Sequence, residues 1–457
     1  MQKKSLRICV NSQTPFIKFL TPYSELLEKY DSLGVPLKLE ELYQDVDYQF
    51  SPGGVTAMIF PLLKKMRAKN IIEDPIWISL GSNAPDEVLV DHVRLFHVQL
   101  PEYDMKRYAN FKESIWNEIH GIGRFQIKPE EYEAFIRYNW LSTQVMLRML
   151  REIDLYFIHD FQQLLTGTLI GPSAPAILQW HIPFKLESVS SKLKTFILKN
   201  IEGFDSIIVS TRRDLEGLIH AGYRGHAYQI YPYIDRSEWG PASSADIETV
   251  KETLKLKPGE RVLLIVARMD KIKGQDIAIR AFSHVLKSRN DVKLLLIGNG
   301  SFSGSKEGGL AHPKSSIWRS QIQSLARDLG VSDKVFFAGY RPPEFVKAAY
   351  SLADAVLVSS RSEGFGLTTI EGWLYKKPVI VSSGAGSSEL VIDDVNGYTF
   401  ESGNDQQLAE KILKVLSKGE AAEKMGERGL DTATICDIER NISSLQHVFE
   451  ETLSYFG

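Results

Sequence analysis

The sequence predicts an α/β chain built from two doubly wound parallel-sheet domains, and three observations carry that expectation. Short β-rich apolar runs alternate with longer helical stretches, the pattern of parallel sheets covered by helices. The 457 residues suffice for two or three domains at about 150 residues each. A Pro-, Ser- and Gly-rich stretch, Pro232 to Asp246, divides the runs into two sets, each long enough for its own sheet.

In the first set the expected strands are Leu6–Val10, Ile76–Leu80, Leu95–Leu100, Leu155–His159, Ala176–Trp180, Ser206–Ser210 and Tyr228–Tyr231. In the second they are Val262–Ala267, Lys293–Ile297, Val335–Ala338, Ala355–Val358 and Pro378–Val381. Each is a run of mainly Val, Ile, Leu or aromatic residues of strand length. Domains over 1–235 and 236–436 follow. In doubly wound sheets ligands bind at the carboxyl ends of strands, which is where functional residues are sought. The final stretch, 437–457, has helical spacing (Ile442, Leu445, Val448, Phe449, Leu453), which does not by itself say where the helix packs.

Composition narrows the function. Lys plus Arg number 54 and Asp plus Glu 57, for a net charge of −3, with no concentrated basic run; nucleic acid is not the expected partner. The two cysteines, Cys9 and Cys436, are far apart, so neither a disulfide framework nor a Cys-based zinc cluster is expected. No His/Cys/Asp cluster has ligand spacing, and no metal or cofactor is expected. The basic start has too short an apolar run for a signal peptide. No segment approaches the roughly 20 apolar residues that span a bilayer. A cytoplasmic protein without membrane insertion is the expectation; homo-oligomerisation is left open.

The densest motif is SSRSEGFGLTTIEGWLYKKPVIVSS, Ser359 to Ser383. The Ala355–Val358 strand runs into Glu363-Gly364-Phe365-Gly366-Leu367-Thr368, then a helix from near Thr369 that carries Glu371. The glycines let backbone N–H groups approach a ligand, and carboxylates accept hydrogen bonds from sugar hydroxyls. A plain strand–loop–helix crossover would use the same glycines for packing. In LLIVARMDKIKGQDIAIRAF a strand ends in Arg268, with Lys273 before an amphipathic helix. An arginine fork and a lysine suit a diphosphate, though both residues are also common at solvated strand ends. Gly53 and Gly54 precede another amphipathic helix and could pass backbone close to phosphate. His159 and Asp160 end one strand; Trp180 and His181 end the next. Tyr108, Trp116 and His120 supply aromatic rings with polar tips, as a sugar face requires, or belong to the core. The polar stretch Asn299 to Trp318 reads as a long loop in which Lys306, Lys314 and the following Arg319 are solvated.

Taken together these strings resemble retaining GT-B glycosyltransferases with the E-x7-E signature, and within them trehalose-phosphate synthases and trehalose glycosyltransferring synthases. Glu363 to Glu371 matches the signature and Arg268 with Lys273 the R-x4-K pair. DLYFIHDFQQLL, ILQWHIPF, EEYEAFIRYNWLSTQV and YANFKESIWNEIH resemble further strings of the synthases. The resemblance implies two Rossmann-like domains facing across a cleft, with the last helix crossing back to the N-terminal domain. It implies a donor site of Gly53, Gly54, Arg268, Lys273, Glu363, Gly364, Phe365, Gly366, Leu367 and Glu371. It implies acceptor contacts from Tyr108, Trp116 and Asp160, with His181, Asp160, Arg268, Lys273 and Glu363 serving catalysis. The substrates implied are a nucleotide-diphosphate glucose and glucose 6-phosphate or glucose, giving trehalose 6-phosphate or trehalose without a metal. Here Asn11-Ser12-Gln13-Thr14 follows the first strand where the synthases have an arginine, and the acceptor's phosphate stays open. A glycerate or glycerol acceptor, a mannosyl donor, and a catalytically silent sugar-nucleotide-binding protein are the alternatives.

Overall fold

The computed structural model describes residues 5–51, 54–298 and 312–456. The chain divides into two compact units: Met1–Ile230 with Ile442–Gly457, and Tyr231–Asn441.

The first unit is built on a nine-stranded sheet. From one edge its strands are His226–Gln229, Ser206–Val209, Ala176–Trp180, Leu155–His159, Ile8–Asn11, Ile76–Leu80, Val93–Val98, Glu87–Val90 and Leu37–Lys38. Every pairing is parallel except Glu87–Val90 on Val93–Val98. The first strand lies centrally, with Cys9 level with Ile76 on one side and Tyr156 on the other. Its neighbours on the two sides are reached by crossovers in opposite directions, so the switch point falls between Ile8–Asn11 and Leu155–His159. Ile8–Asn11 and Leu155–His159 are buried throughout, as their predominantly apolar sequences require. The helix Ile438–Phe456 contributes to this unit from Ile442 onward. Phe449 lies 5.3 Å from Phe157, and Thr452 shares a 2.7 Å hydrogen bond with Ser206.

The second unit holds a six-stranded, wholly parallel sheet in the order Val335–Gly339, Val292–Ile297, Arg261–Val266, Ala355–Val358, Val379–Ser382, Gly397–Phe400. Its order reverses between Arg261–Val266 and Ala355–Val358, which sets the switch point at Arg268 and Ser359 to Glu363.

Two expectations are corrected. Pro232 to Asp246 is not an exposed linker: Tyr233 and Ile234 are buried, and the Ile234 N–H donates to Cys436 O at 2.8 Å. The apolar residues of YPYI are used as core of the second unit, so the division falls at Ile230/Tyr231 and Asn441/Ile442, not 235/236 and 436/437. Of the loop expected over 299–318, the part from His312 onward is instead helix, His312–Asp328; Pro313 fits a first helical turn, where no N–H is needed. Lys306 lies outside the described residues, as does Gly53. Among the described residues no helix is long and apolar enough to cross a membrane.

Candidate active site

In the second unit, four of the residues singled out from sequence converge at the switch point. Arg268 follows the Arg261–Val266 strand, and Lys273 ends a 3-10 turn, Lys271–Lys273, that Asp270 caps through a 3.1 Å bond from Ile272 N–H. Gly274 then starts the helix Gln275–Leu286 at φ +66°; a Cβ there would lie 2.0 Å from Ser359 O, so only glycine fits. That close approach brings Lys273 to Glu363, and the two side chains form an ion pair with Lys273 13% and Glu363 20% exposed. Ser360 Oγ donates to the other Glu363 oxygen at 2.7 Å. Burial would raise the Glu363 pKa, but the charge and hydrogen bond of Lys273, the Ser360 bond and the charge of Arg268 outweigh it and hold the group ionised.

Glu371 lies in the short helix Thr368–Leu374 and behaves oppositely. Burial, helped by the charge of Glu363, raises its pKa to about 7 against the hydrogen bond from Tyr350. Tyr350 is itself fully buried, with Trp239 5.9 Å away edge-on and Tyr375 stacked at 5.7 Å. Between the two glutamates, Gly366 has φ +99°, and a Cβ would come within 3.3 Å of Glu363 Oε2. The N–H groups of Gly364, Phe365, Gly366 and Leu367 make no hydrogen bond to the protein among the described residues. The Phe365 ring is core, 5.7 Å from Tyr231, and the Phe365 carbonyl accepts Ser387 N–H at 2.7 Å. Arg268 is half-buried and makes no hydrogen bond or ion pair through its guanidinium among the described residues. Two unpaired kinds of donor, a guanidinium and a run of amides, thus flank an ionised carboxylate. Such an array can bind a diphosphate and a polyol together.

Sequence reasoning missed the residues that hold these in place. Arg361 makes a bidentate pair with Asp276, at 2.7 and 2.6 Å, and also donates to Lys271 O at 2.8 Å. Gln275 donates to Arg268 O at 2.6 Å and accepts from Trp318 Nε1 at 3.0 Å. An acid in the first helical turn, three residues after Lys273, was a weak signal for the Arg361 lock; nothing in the sequence pointed to Tyr350 or Gln275.

In the first unit, His159, Asp160 and His181 meet at the other switch point. His159 Nδ1 lies 3.1 Å from His181 Nε2, with the rings nearly parallel at 5.4 Å. Burial lowers both pKa values, that of His181 to about 3, so both rings are neutral and one N–H links them. Asp160 is 7% exposed at φ +69° and ψ 174°, a region that residues other than glycine rarely occupy. Burial raises its pKa to about 7 although amides of His181, Phe161 and Ile182 hydrogen-bond the carboxylate; His181 N–H is 3.4 Å from Oδ1. Gly54, at φ +74°, precedes the helix Val55–Ala68, whose N-terminus has no side-chain cap. Trp116 is half-buried and stacks on His120 at 4.0 Å. Tyr108 is corrected: it is 1% exposed, 4.8 Å from the Tyr138 ring, and a core residue rather than a sugar-facing one. Its helical spacing places it on the side packed against Pro129–Arg148. Among the described residues no group of His, Cys, Asp or Glu could hold a metal ion.

The two Rossmann-like units have the GT-B fold, and residues 246–432 match the model of glycosyl transferases group 1. Among curated proteins it is similar to a D-inositol 3-phosphate glycosyltransferase of Corynebacterium kroppenstedtii, 24% identical over 80% of this chain and 77% of that one. A protein of the same name from Segniliparus rotundus is 31% identical over 45% of each chain. Among solved structures, the trehalose-6-phosphate protein from E. coli bound with UDP-2-fluoro glucose superposes with a TM-score of 0.74. It is 16% identical, over 98% of both chains, a likeness of fold alone.

Proposed function

We propose that this protein is a retaining hexosyltransferase that moves glucose from a nucleotide-diphosphate glucose to a small sugar or polyol. The observation that supports this most is the array in the second unit: Arg268, Lys273 paired with ionised Glu363, the free amides of 364–367, and Glu371 fixed by Tyr350. In this reading Arg268 and Lys273 hold the diphosphate, Glu363 and the amides the sugar, and Glu371 the ribose. Gly54 is assigned to the donor as well, with Gly53 beside it in sequence.

The bond from the anomeric carbon to the diphosphate oxygen breaks as the acceptor oxygen bonds that carbon from the same face. The acceptor's proton passes to the departing phosphate oxygen. Arg268 and Lys273 stabilise the charge developing there, the usual source of most of the rate enhancement. Asp160 orients acceptor hydroxyls, and His181 holds the sugar's primary hydroxyl. With its pKa lowered to about 3 by burial, the His181 imidazole is too weakly basic for an efficient general base at neutral pH. No metal takes part.

Two acceptor classes are supported. The likeness to trehalose-phosphate synthase strings favours glucose or glucose 6-phosphate, giving trehalose or its 6-phosphate. The names of the curated relatives favour an inositol phosphate. The test is release of nucleoside diphosphate from UDP-, ADP- and GDP-glucose and GDP-mannose with glucose, glucose 6-phosphate, inositol 3-phosphate or glycerate as acceptor. Turnover with a glucosyl donor and one of the first three acceptors is expected. Tight nucleotide binding with no turnover in any combination means a silent sugar-nucleotide-binding protein instead.

A further inference from the structure

The helix Pro129–Arg148 shows solvent a face that is apolar in its middle and oppositely charged at its two ends. Ala134, Phe135, Tyr138, Ser142 and Met146 lie on its buried side. On the opposite side, at helical spacing, Ile136, Trp140 and Leu147 are 39, 45 and 36% exposed. Tyr103 is exposed on the neighbouring helix Glu102–Ile119, and its hydroxyl accepts a 2.7 Å hydrogen bond from Arg137, which places it beside this stripe. Single exposed apolar residues are ordinary, but three on one stripe beside a fourth form the kind of patch that partners cover.

Glu130 and Glu133 stand before the stripe, and Arg148 and Arg151 follow it. The side chains of Glu130, Arg148 and Arg151 make no hydrogen bond or ion pair among the described residues, and Glu133 meets Arg137, one turn on, at 3.0 Å. Lys128 is taken up by Glu131 and Glu152 by Arg94, so neither reverses the sign of its end. Acids early and bases late also suit the helix dipole, but the dipole asks nothing of Ile136, Trp140 or Leu147.

The spacing decides which partner fits. Glu133 and Arg148 are equally far from the midpoint between Trp140 and Leu141, about 11 Å on either side at 1.5 Å per residue. Glu130 and Arg151, the latter in the 3-10 turn after the helix, share that midpoint in sequence. A copy of the face turned end to end therefore sets Glu133 opposite Arg148 twice, with both Trp140 rings near the axis. That is the self-complementarity of a twofold interface. An anionic lipid surface asks for cations along the whole stripe, and the acidic end opposes it.

We propose that the exposed face of Pro129–Arg148 is a homodimer interface, in which two copies of this chain pair these helices antiparallel about a twofold axis beside Trp140. Trp140 is the central anchor, and the two Glu133–Arg148 pairs fix orientation and register.

The test is sedimentation velocity of the full chain over a concentration series. The wild type is expected to be a dimer at micromolar concentration. Trp140→Glu should weaken dimerisation at least ~30-fold, as loss of a central aromatic anchor does. Arg148→Glu and Glu133→Arg each set like charges opposite one another and should each weaken it at least ~10-fold. Mixed in equal amounts, these two variants should associate as strongly as wild type, because each supplies the charges the other has lost; mixing would not mend a folding defect. A monomeric wild type, undiminished dimerisation of Trp140→Glu, or a mixture that stays monomeric overturns the proposal. Flotation with vesicles of phosphatidylglycerol and phosphatidylcholine is the last arm: a monomeric wild type that floats with them assigns the face to a lipid surface and overturns the dimer.

Discussion

Glu371→Gln should make the protein more tolerant of alkaline pH while weakening its hold on nucleotide. The carboxyl has an ordinary value of 4.5 and a folded value of about 7, raised mainly by burial and also by Glu363. A folded pKa above the unfolded one gives stability that is complete below 4.5 and lost as pH rises through 7. The separation of the two titration curves costs below ~1 kcal/mol at pH 5 and up to ~3 kcal/mol at pH 8, an upper bound because the group is half-buried. Glutamine keeps an oxygen for the Tyr350 hydroxyl but cannot ionise. The Tm difference, variant minus wild type, should therefore widen toward alkaline pH. For a unit of this size each kcal/mol shifts Tm by roughly 2–4 °C, so a widening of at least ~3 °C is expected between pH 5 and 8. Scanning calorimetry at several pH values measures it, with UDP titration alongside to detect an affinity loss of ~10-fold or more. Parallel Tm curves would refute the buried, protonatable state of Glu371. Unchanged UDP affinity would refute its place at the nucleotide.

Arg268→Ala or Lys273→Ala should each lower turnover at least ~10²-fold, as expected for losing one charge-stabilising donor, and steady-state rates on the donor–acceptor pair check it. Lys273→Ala should also raise the pKa of Glu363, visible as a shift of its ionisation to higher pH in donor binding, because its first counter-charge is gone. Asp160→Gly should remove activity yet not destabilise, since relief of a strained backbone worth about 1–3 kcal/mol offsets the lost carboxylate contacts; a clear drop in Tm would contradict the strain. His181→Ala should impair turnover without abolishing it, and no covalent sugar should appear on Asp160 by mass spectrometry with a slow fluorinated donor.

Much of the fold was legible because its strands are parallel and buried on both faces. Ile76–Leu80, Leu155–His159, Ala176–Trp180 and Ala355–Val358 are predominantly apolar runs, and the expected and observed bounds coincide. Strands outside that pattern were missed, and so was the parallel edge strand Gly397–Phe400, which opens on glycine. Leu37–Lys38 is two residues at a sheet edge, and Ile17–Phe19 with Tyr48–Phe50 form a separate antiparallel ribbon. Glu87–Val90 returns through Asp91, at φ +51°, without the glycine that announces a tight hairpin. The charged site residues were readable for a different reason: each follows a strand end, where the sheet order brings distant loops together. Arg361 and Tyr350 were not singled out, because their meaning lies in partners. Arg361 needs Asp276 85 residues away, and Tyr350 needs Glu371 on another helix. Tyr108 misled in the opposite direction, since an aromatic residue with a polar tip reads alike in core and site.

Stereochemistry tests the central claim most directly. Proton NMR of the product made from an α-linked nucleotide-diphosphate glucose reports the new anomeric bond before any later equilibration. The account predicts an α-glucosyl product, formed with Arg268 and Lys273 intact and at an undiminished rate in excess chelator. A β-glucosyl product would contradict it, because transfer from the leaving-group face cannot invert the anomeric carbon.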